Sequence, residues 1–311
     1  MTSEDGSNIR KIIFTGLDNA GKTSIIFSLL REISKIATIK PTRNAERRNF
    51  EFLGMTISEW DLGGQERFRK TYLEKAQMIF RGTDIMIYVV DVQDRERIVD
   101  SCSYLYDVVD KFTELGITPS IHVFFHKFDP ELMVDTDTKM EDTYQFLKKK
   151  IESFKNYKNF SFYKTTIFNL PSIVNAMSKL LINLYPKGKV IDNSIKEFAQ
   201  KCNIEGIELL DNNSLIIGSY YENDSIKKIL NSLSPYFLRL NDGFERTEHK
   251  DQEDNYTQIE RMGKFFIFKR FKLTKGASPY YLLFSKAESS FDPEEFNILI
   301  SLLNEILSQE M

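Results

Sequence analysis

Along the first part of the chain, apolar residues come in short runs separated by stretches with helical spacing. Lys11-Ile12-Ile13-Phe14-Thr15 is one such run, ending in glycine, and Ser24 to Leu30 after it has the length of a helix. Further strand-like runs lie at 50–53, 55–60, 85–90, 121–125 and 160–163, with helical candidates near 66–80, 94–115, 138–155 and 169–185. Only the pair around Gly54 is too close for a crossover helix, so it reads as a hairpin. The rest alternates as βαβ units do, which predicts an α/β domain with a mostly parallel six-stranded sheet covered on both faces.

Past 186–190 the order changes. A helix (192–203) precedes strands at 206–210 and 215–221, joined by the turn-forming Asp211-Asn212-Asn213-Ser214. A helix at 224–238 leads into a charged loop (242–255), then strands near 257–262, 264–273 and 279–285. For the final helix, Asp292 suits the N-cap, Pro293 N1 and Glu295 the capping box, and Phe296, Leu299, Ile300, Leu303, Ile306 and Leu307 share a face. The order α-β-β-α-β-β-β-α predicts helices against one antiparallel sheet, an α+β domain. The expected layout is a flexible N-terminus (1–9), an α/β domain (10–186) and a second domain (187–311).

Composition narrows the function classes. The 311 residues suit two domains. With 42 Lys+Arg against 45 Asp+Glu, the balance argues against a general nucleic-acid or anionic-membrane binder. Cys102 and Cys202 have no Cys/His cluster near them, which argues against a disulfide scaffold or zinc site and for a reducing compartment. The longest apolar run, Ile85 to Val90, is far shorter than the ~20 residues that cross a bilayer. The polar start Met1 to Ile9 argues against a secretory signal.

The chemistry begins where the first strand meets the first helix. Gly16-Leu17-Asp18-Asn19-Ala20-Gly21-Lys22-Thr23 matches G-x-x-x-x-G-K-S/T in that strand-to-helix context. Its glycines let the backbone curl so that amides and the helix N-terminus face phosphate oxygens. Lys22 would bridge the β- and γ-phosphates and assist catalysis, Thr23 would ligate Mg²⁺, and Ser24 joins the nucleotide-binding set. In Trp60-Asp61-Leu62-Gly63-Gly64-Gln65-Glu66, Asp61 ends a strand where a carboxylate can hold the Mg²⁺ shell. Gly64 can offer its N–H to the γ-phosphate, and Gln65 would orient the attacking water. A third group, His126-Lys127-Phe128-Asp129, follows the strand at 121–125, where open α/β sheets bind ligands. Asp129 would accept from guanine N1–H and N2–H, Lys127 would lay its stem along the base, and a backbone N–H at Thr166 or Ile167 would reach guanine O6. Thr42, nineteen residues before Asp61, is the candidate that senses Mg²⁺ and γ-phosphate.

Together these residues resemble small Ras-like GTPases and, within them, the Rag/Gtr family. The H-K-x-D form at His126–Asp129, Ile79-Phe80-Arg81-Gly82-Thr83, Ile87 to Asp91 and Phe162 to Ile167 carry the resemblance, which extends through Phe198 and Leu209-Leu210 over nearly the whole chain. The loop Gly16 to Gly21 looks more like that of Arf-type proteins. The resemblance implies a P-loop G domain followed by a roadblock/longin-like domain, with GTP or GDP as ligand and Mg²⁺ as cofactor. It implies hydrolysis at ~10⁻⁴ to 10⁻² s⁻¹ unless a GAP assists, and an exchange factor to reload the site. It also implies a homo- or heterodimer through 187–311, attachment to a separate roadblock-type scaffold complex at an endomembrane, and a role in nutrient (TOR-complex-type) signalling or trafficking. The alternative is a catalytically silent, nucleotide-bound scaffold subunit, motivated by His126 standing where Asn is usual.

Other features read as ordinary surface or core. The aromatic and basic residues interleaved over Lys264 to Lys272 suit an amphipathic strand with snorkelling bases. Lys148-Lys149-Lys150 suits a solvated helix end, and His122 and His249 have no ligand-spaced neighbours. The start Met1-Thr2-Ser3 lacks a myristoylation glycine and the end Gln309-Glu310-Met311 lacks a prenylation cysteine, so a membrane address is expected to come through a partner.

Overall fold

The computed structural model describes residues 9–30, 32–129, 133–154, 157–246, 256–272, 279–289 and 293–308. The expectations for residues 1–8, for 247–255 of the charged loop, for the Asp292 cap and for 309–311 lie outside these. The chain runs β1 (Ile9–Thr15), α1 (Lys22–Leu29), α2 (Ile33–Ile36), β2 (Ala45–Phe52), β3 (Met55–Leu62), α3 (Glu66–Glu74), α4 (Ala76–Phe80), β4 (Ile85–Asp91) and α5 (Ile98–Glu114). It continues through β5 (Ser120–His126), α6 (Met133–Glu152), β6 (Phe160–Lys164) and α7 (Leu170–Ile182). Contacts divide the chain into two units, Met1–Ile173 and Val174–Met311.

In the first unit the six strands lie in the order β2-β3-β1-β4-β5-β6. Every pairing is parallel except the β2–β3 hairpin. Ile85 to Val90 are all buried, as a central strand covered on both faces requires. One side of that core is Tyr104, Leu105, Val108 and Phe112 of α5, and the buried Tyr88 hydroxyl is satisfied by donating to Ser101 O at 2.7 Å. Among the elements that differ from the sequence expectation, two have visible reasons in their contacts. The helix expected from 94 starts at Ile98, because Asp91 Oδ1 accepts from the Gln93 amide (3.0 Å) and holds that segment in a turn. β2 begins at Ala45 instead of 50, because its polar first half pairs with β3 as a sheet edge. Trp60 on β3 has Lys11 Nζ 3.9 Å and the Arg47 guanidinium 3.6 Å from its ring centroid, reaching in from the strands on either side.

The second unit continues through α8 (Gly188–Lys201), β7 (Ile204–Leu210), β8 (Ile216–Tyr221), α9 (Asp224–Arg246), β9 (Tyr256–Arg261), β10 (Lys264–Phe271), β11 (Tyr280–Lys286) and α10 (Pro293–Ser308). Its antiparallel sheet has the order β8-β7-β11-β10-β9, and an antiparallel sheet with helices is the α+β arrangement the sequence predicts. The 211–214 turn forms as its composition suggests: Asp211 Oδ1 accepts from the amides of Asn213 and Leu215, both at 2.8 Å. α7 is bound into this unit, since Ser178 Oγ accepts from the Ile216 amide (2.8 Å) and Asn175 bonds Asn231. On β7, Glu208 is fully buried and accepts from Tyr221 Oη (2.9 Å), Asn231 Nδ2 (2.7 Å) and Ser234 Oγ. No described helix is long and apolar enough to cross a membrane.

Candidate functional site

The parallel strands of the first unit end at one edge of their sheet, and the loops that leave them carry the candidate residues. After β1 the chain turns through Gly16 to Gly21 into α1. Gly21 sits at φ 95°, and a Cβ there would stand 2.4 Å from the His126 ring, so the loop and the end of β5 touch at a position only glycine can fill. Lys22 folds back over the loop, donating from Nζ to Leu17 O (2.8 Å) and Gly16 O (3.3 Å). Burial pushes its ammonium down to about 8, against the pull of Asp61 and Asp18.

Three elements meet at Asp61. Thr23 Oγ1, on α1, donates to Asp61 Oδ2 at 2.6 Å; Thr42 Oγ1 donates to the same oxygen at 3.3 Å and lies 3.0 Å from Thr23 Oγ1. Asp61 Oδ1 is buried with no hydrogen-bond partner among the described residues. Burial pushes this carboxyl above its ordinary range, although Lys22, Thr23 and Thr42 hold it down. An orphaned carboxylate oxygen beside two hydroxyls fits Mg²⁺, a hard cation that takes few protein oxygens and completes its shell with water and phosphate. No cluster of three or more His, Cys, Asp or Glu that could hold a metal ion exists among the described residues.

Gly64 presses on the loop after β1: a Cβ there would lie 2.2 Å from the Asp18 amide nitrogen. Gln65 follows as the N-cap of α3. Asp18, Asn19, Gly21, Lys22, Thr23 and Ser24 line one open cleft with Gly64, Gln65 and the 39–42 segment that contains Thr42. Ala20 is buried beneath.

A second cluster follows β5 and β6. His126 is buried; its Nδ1 is 3.0 Å from Thr165 Oγ1, and burial pushes the imidazole down to about 4, so the ring is neutral at pH 7. Lys127 donates to Asp91 Oδ2 at 2.6 Å. Asp129 is gripped on both oxygens, by Thr166 Oγ1 and by Gln93 Nε2 (2.8 Å), while Gln93 also donates to Lys127 O (2.7 Å). The Thr166 amide donates to Ser172 Oγ (3.1 Å), and the half-buried Ile167 comes next. The His126 side of the site therefore joins the cleft through the Gly21 contact.

Sequence reasoning missed the residues that hold these groups. Gln93 and Asp91 position Asp129 and Lys127, and Arg97 pairs with Asp18 at 2.7 Å. The polar segment Asp91 to Arg97 at the end of a fully apolar strand was the available signal.

Residues 11–246 match the sequence model of the Gtr1/RagA G protein conserved region. Ras-related GTP-binding protein A of Dictyostelium discoideum is 26% identical over 218 residues, 68% of this chain and 69% of that protein. GTP-binding protein GTR1 of Saccharomyces cerevisiae is 25% identical, covering 68% of each. A solved Arl6 BBS3 small GTPase from Trypanosoma brucei, with the bound nucleotide analogue GppNp, superposes with a TM-score of 0.43 at 18% identity, over 57% of this chain and 97% of that one.

Proposed function

The chain belongs to the Gtr1/RagA family of G proteins, a family of GTP-binding GTPases, and from that premise we propose a Mg²⁺-dependent guanine-nucleotide switch that hydrolyses GTP slowly by itself. One observation carries the reading: the Asp61 carboxylate, whose Oδ2 accepts from both the Thr23 and Thr42 hydroxyls while its buried Oδ1 has no hydrogen-bond partner among the described residues. Thr23, Thr42 and Asp61 would hold Mg²⁺, which when bound supplies charge neutralisation for the phosphate oxygens. The loop amides from Gly16 to Thr23 would cradle the phosphates, and Lys22, already buried, would exchange its carbonyl partners for phosphate oxygens. Asp129, gripped by Thr166 and Gln93, would accept from guanine and the Ile167 amide would donate to O6, with His126 closing the space beside Gly21. Gln65 would hold the attacking water, and the segments at 38–48 and 62–78 would be ordered by GTP and released after hydrolysis.

Single-turnover GTP hydrolysis by Gln65→Leu tests this. Misplacing the attacking water is expected to slow turnover roughly a hundredfold. Equal rates for both proteins, with and without an activating protein, would remove Gln65 from its role.

A second reading, a nucleotide-bound scaffold without turnover, is favoured by the neutral His126 ring filling the space beside Gly21. Titration with GTP, GDP and ATP separates the two. Equal affinity for GTP and GDP favours the scaffold, and a preference for ATP removes the guanine role of Asp129.

The second unit would serve assembly, as a homo- or heterodimer through 187–311, since β9 lies at the sheet edge with Ile259 exposed. Recruitment to an endomembrane by a roadblock-type scaffold complex, and a role in nutrient signalling or trafficking, complete the proposal.

A further inference from the structure

Asp18 places a carboxylate in the loop that the reading above assigns to phosphates. It lines the cleft beside Lys22, Thr23, Gly64 and Gln65, with its amide under Gly64. A negative side chain there has the same sign as the ligand, and every loop amide around it is better used on phosphate oxygens.

The carboxylate is not left to itself. Arg97, at the N-cap of α5, donates from one guanidinium nitrogen to Asp18 Oδ1 at 2.7 Å and from another toward Asp18 O at 3.5 Å. Its far side is fixed by Asp94, whose Oδ2 accepts from Arg97 Nε at 2.6 Å and pairs with the terminal nitrogen at 2.5 Å. The planar fork thus spans two carboxylates from two loops, a geometry a lysine cannot reproduce.

Its exposure says what this arrangement is for. The side chains of Arg97 and Asp18 are 37% and 47% exposed, and pairs that wet contribute little to folding. Their place at the lip of the phosphate cleft gives them leverage on the ligand instead. Two carboxylates and one guanidinium sum to −1; without Arg97 the sum is −2, and the repulsion falls on whichever phosphate lies nearest Gly64 and Gln65. In the nucleotide placement proposed above, that phosphate is the γ, which GDP lacks.

We propose that Arg97 is a positioning residue that holds the Asp18 carboxylate off the phosphate end of the cleft and thereby sets the preference for GTP over GDP. The proposal rests on the nucleotide-site reading above and deepens it.

The test is a double-mutant cycle on the full chain in Mg²⁺ buffer, measuring dissociation constants for GDP and a non-hydrolysable GTP analogue. Arg97→Ala should weaken the GTP analogue roughly tenfold and GDP severalfold less, as for a screened charge near the ligand. On an Asp18→Asn background, which keeps the loop amide but removes the charge, the same Arg97→Ala change should move the GTP-to-GDP ratio less than about twofold. Arg97→Lys, which keeps the charge without the fork, should fall between and serves if Arg97→Ala does not fold. An unchanged ratio in Arg97→Ala, or an equal loss on both backgrounds, overturns the proposal, the second outcome meaning that Arg97 only staples two loops. Wild-type protein that binds neither nucleotide would instead overturn the site reading beneath it.

Discussion

Glu208 is the residue with the plainest solution behaviour. Burial pushes its carboxyl up to about 7 from 4.5, despite the hydroxyl and amide donors of Ser234, Tyr221 and Asn231 and the more distant charge of Lys227. Ser234 Oγ also lies 2.7 Å from Leu230 O, and one hydroxyl hydrogen cannot serve both acceptors, so a proton on Glu208 itself satisfies the network best. A carboxyl with a raised folded value stabilises fully below the unfolded value, and that stability is lost as pH rises through the folded one. The loss therefore spans pH 4.5 to 7 and amounts to about 3 kcal/mol. Glu208→Gln should melt about 10 °C above wild type at pH 8 and no higher than it at pH 5; equal melting at both pH values would show that the carboxyl titrates normally. Glu59, raised to about 7 in the other unit, is common to both proteins and cancels in the comparison. Neither Glu208 nor Arg97 was legible in the sequence, because their partners lie far away: Asp18 is 79 residues from Arg97. Lys22, Thr23, Asp61 and Asp129 were legible because spacing within short loops after strands defines them.

At the scale of elements, hydrophobic periodicity located all eleven described strands, β2 at half its length, and the misses were places where tertiary contact overrides local preference. The 66–80 segment breaks at Lys75 into α3 and α4, which bury Tyr72 on one and Ala76, Ile79 and Phe80 on the other. The helix expected from 192 opens at Gly188, where a Cβ would stand 2.9 Å from the Ile182 side chain. α9 runs on to Arg246 with Pro235 inside it. β9, polar and at the sheet edge, is the element on which assembly is expected to depend. Ile259→Lys should raise the dimer dissociation constant at least about tenfold in sedimentation of the full chain, while changing stability by no more than about 0.5 kcal/mol at so exposed a site. Unaltered assembly would move the interface away from β9.

For the whole molecule, the division into two units, each with its own core cluster, places the candidate nucleotide cleft in one part of the chain and the buried Glu208 in the other. Calorimetry should resolve two transitions. GDP with Mg²⁺ at about a hundredfold over the dissociation constant should stabilise the first unit by about 2.7 kcal/mol, and chelating the metal with EDTA should remove much of that gain while the second transition stays in place. Movement of both transitions together would show that the units melt as one. Trp60 makes the distinction optical. It is the single tryptophan of 311 residues, it belongs to the first unit, and it precedes Asp61 with Lys11 and Arg47 set against its ring. Indole emission shifts and quenches with the cations beside it, so the protein carries an unlabelled fluorophore that speaks for the nucleotide-binding half and is silent about the other.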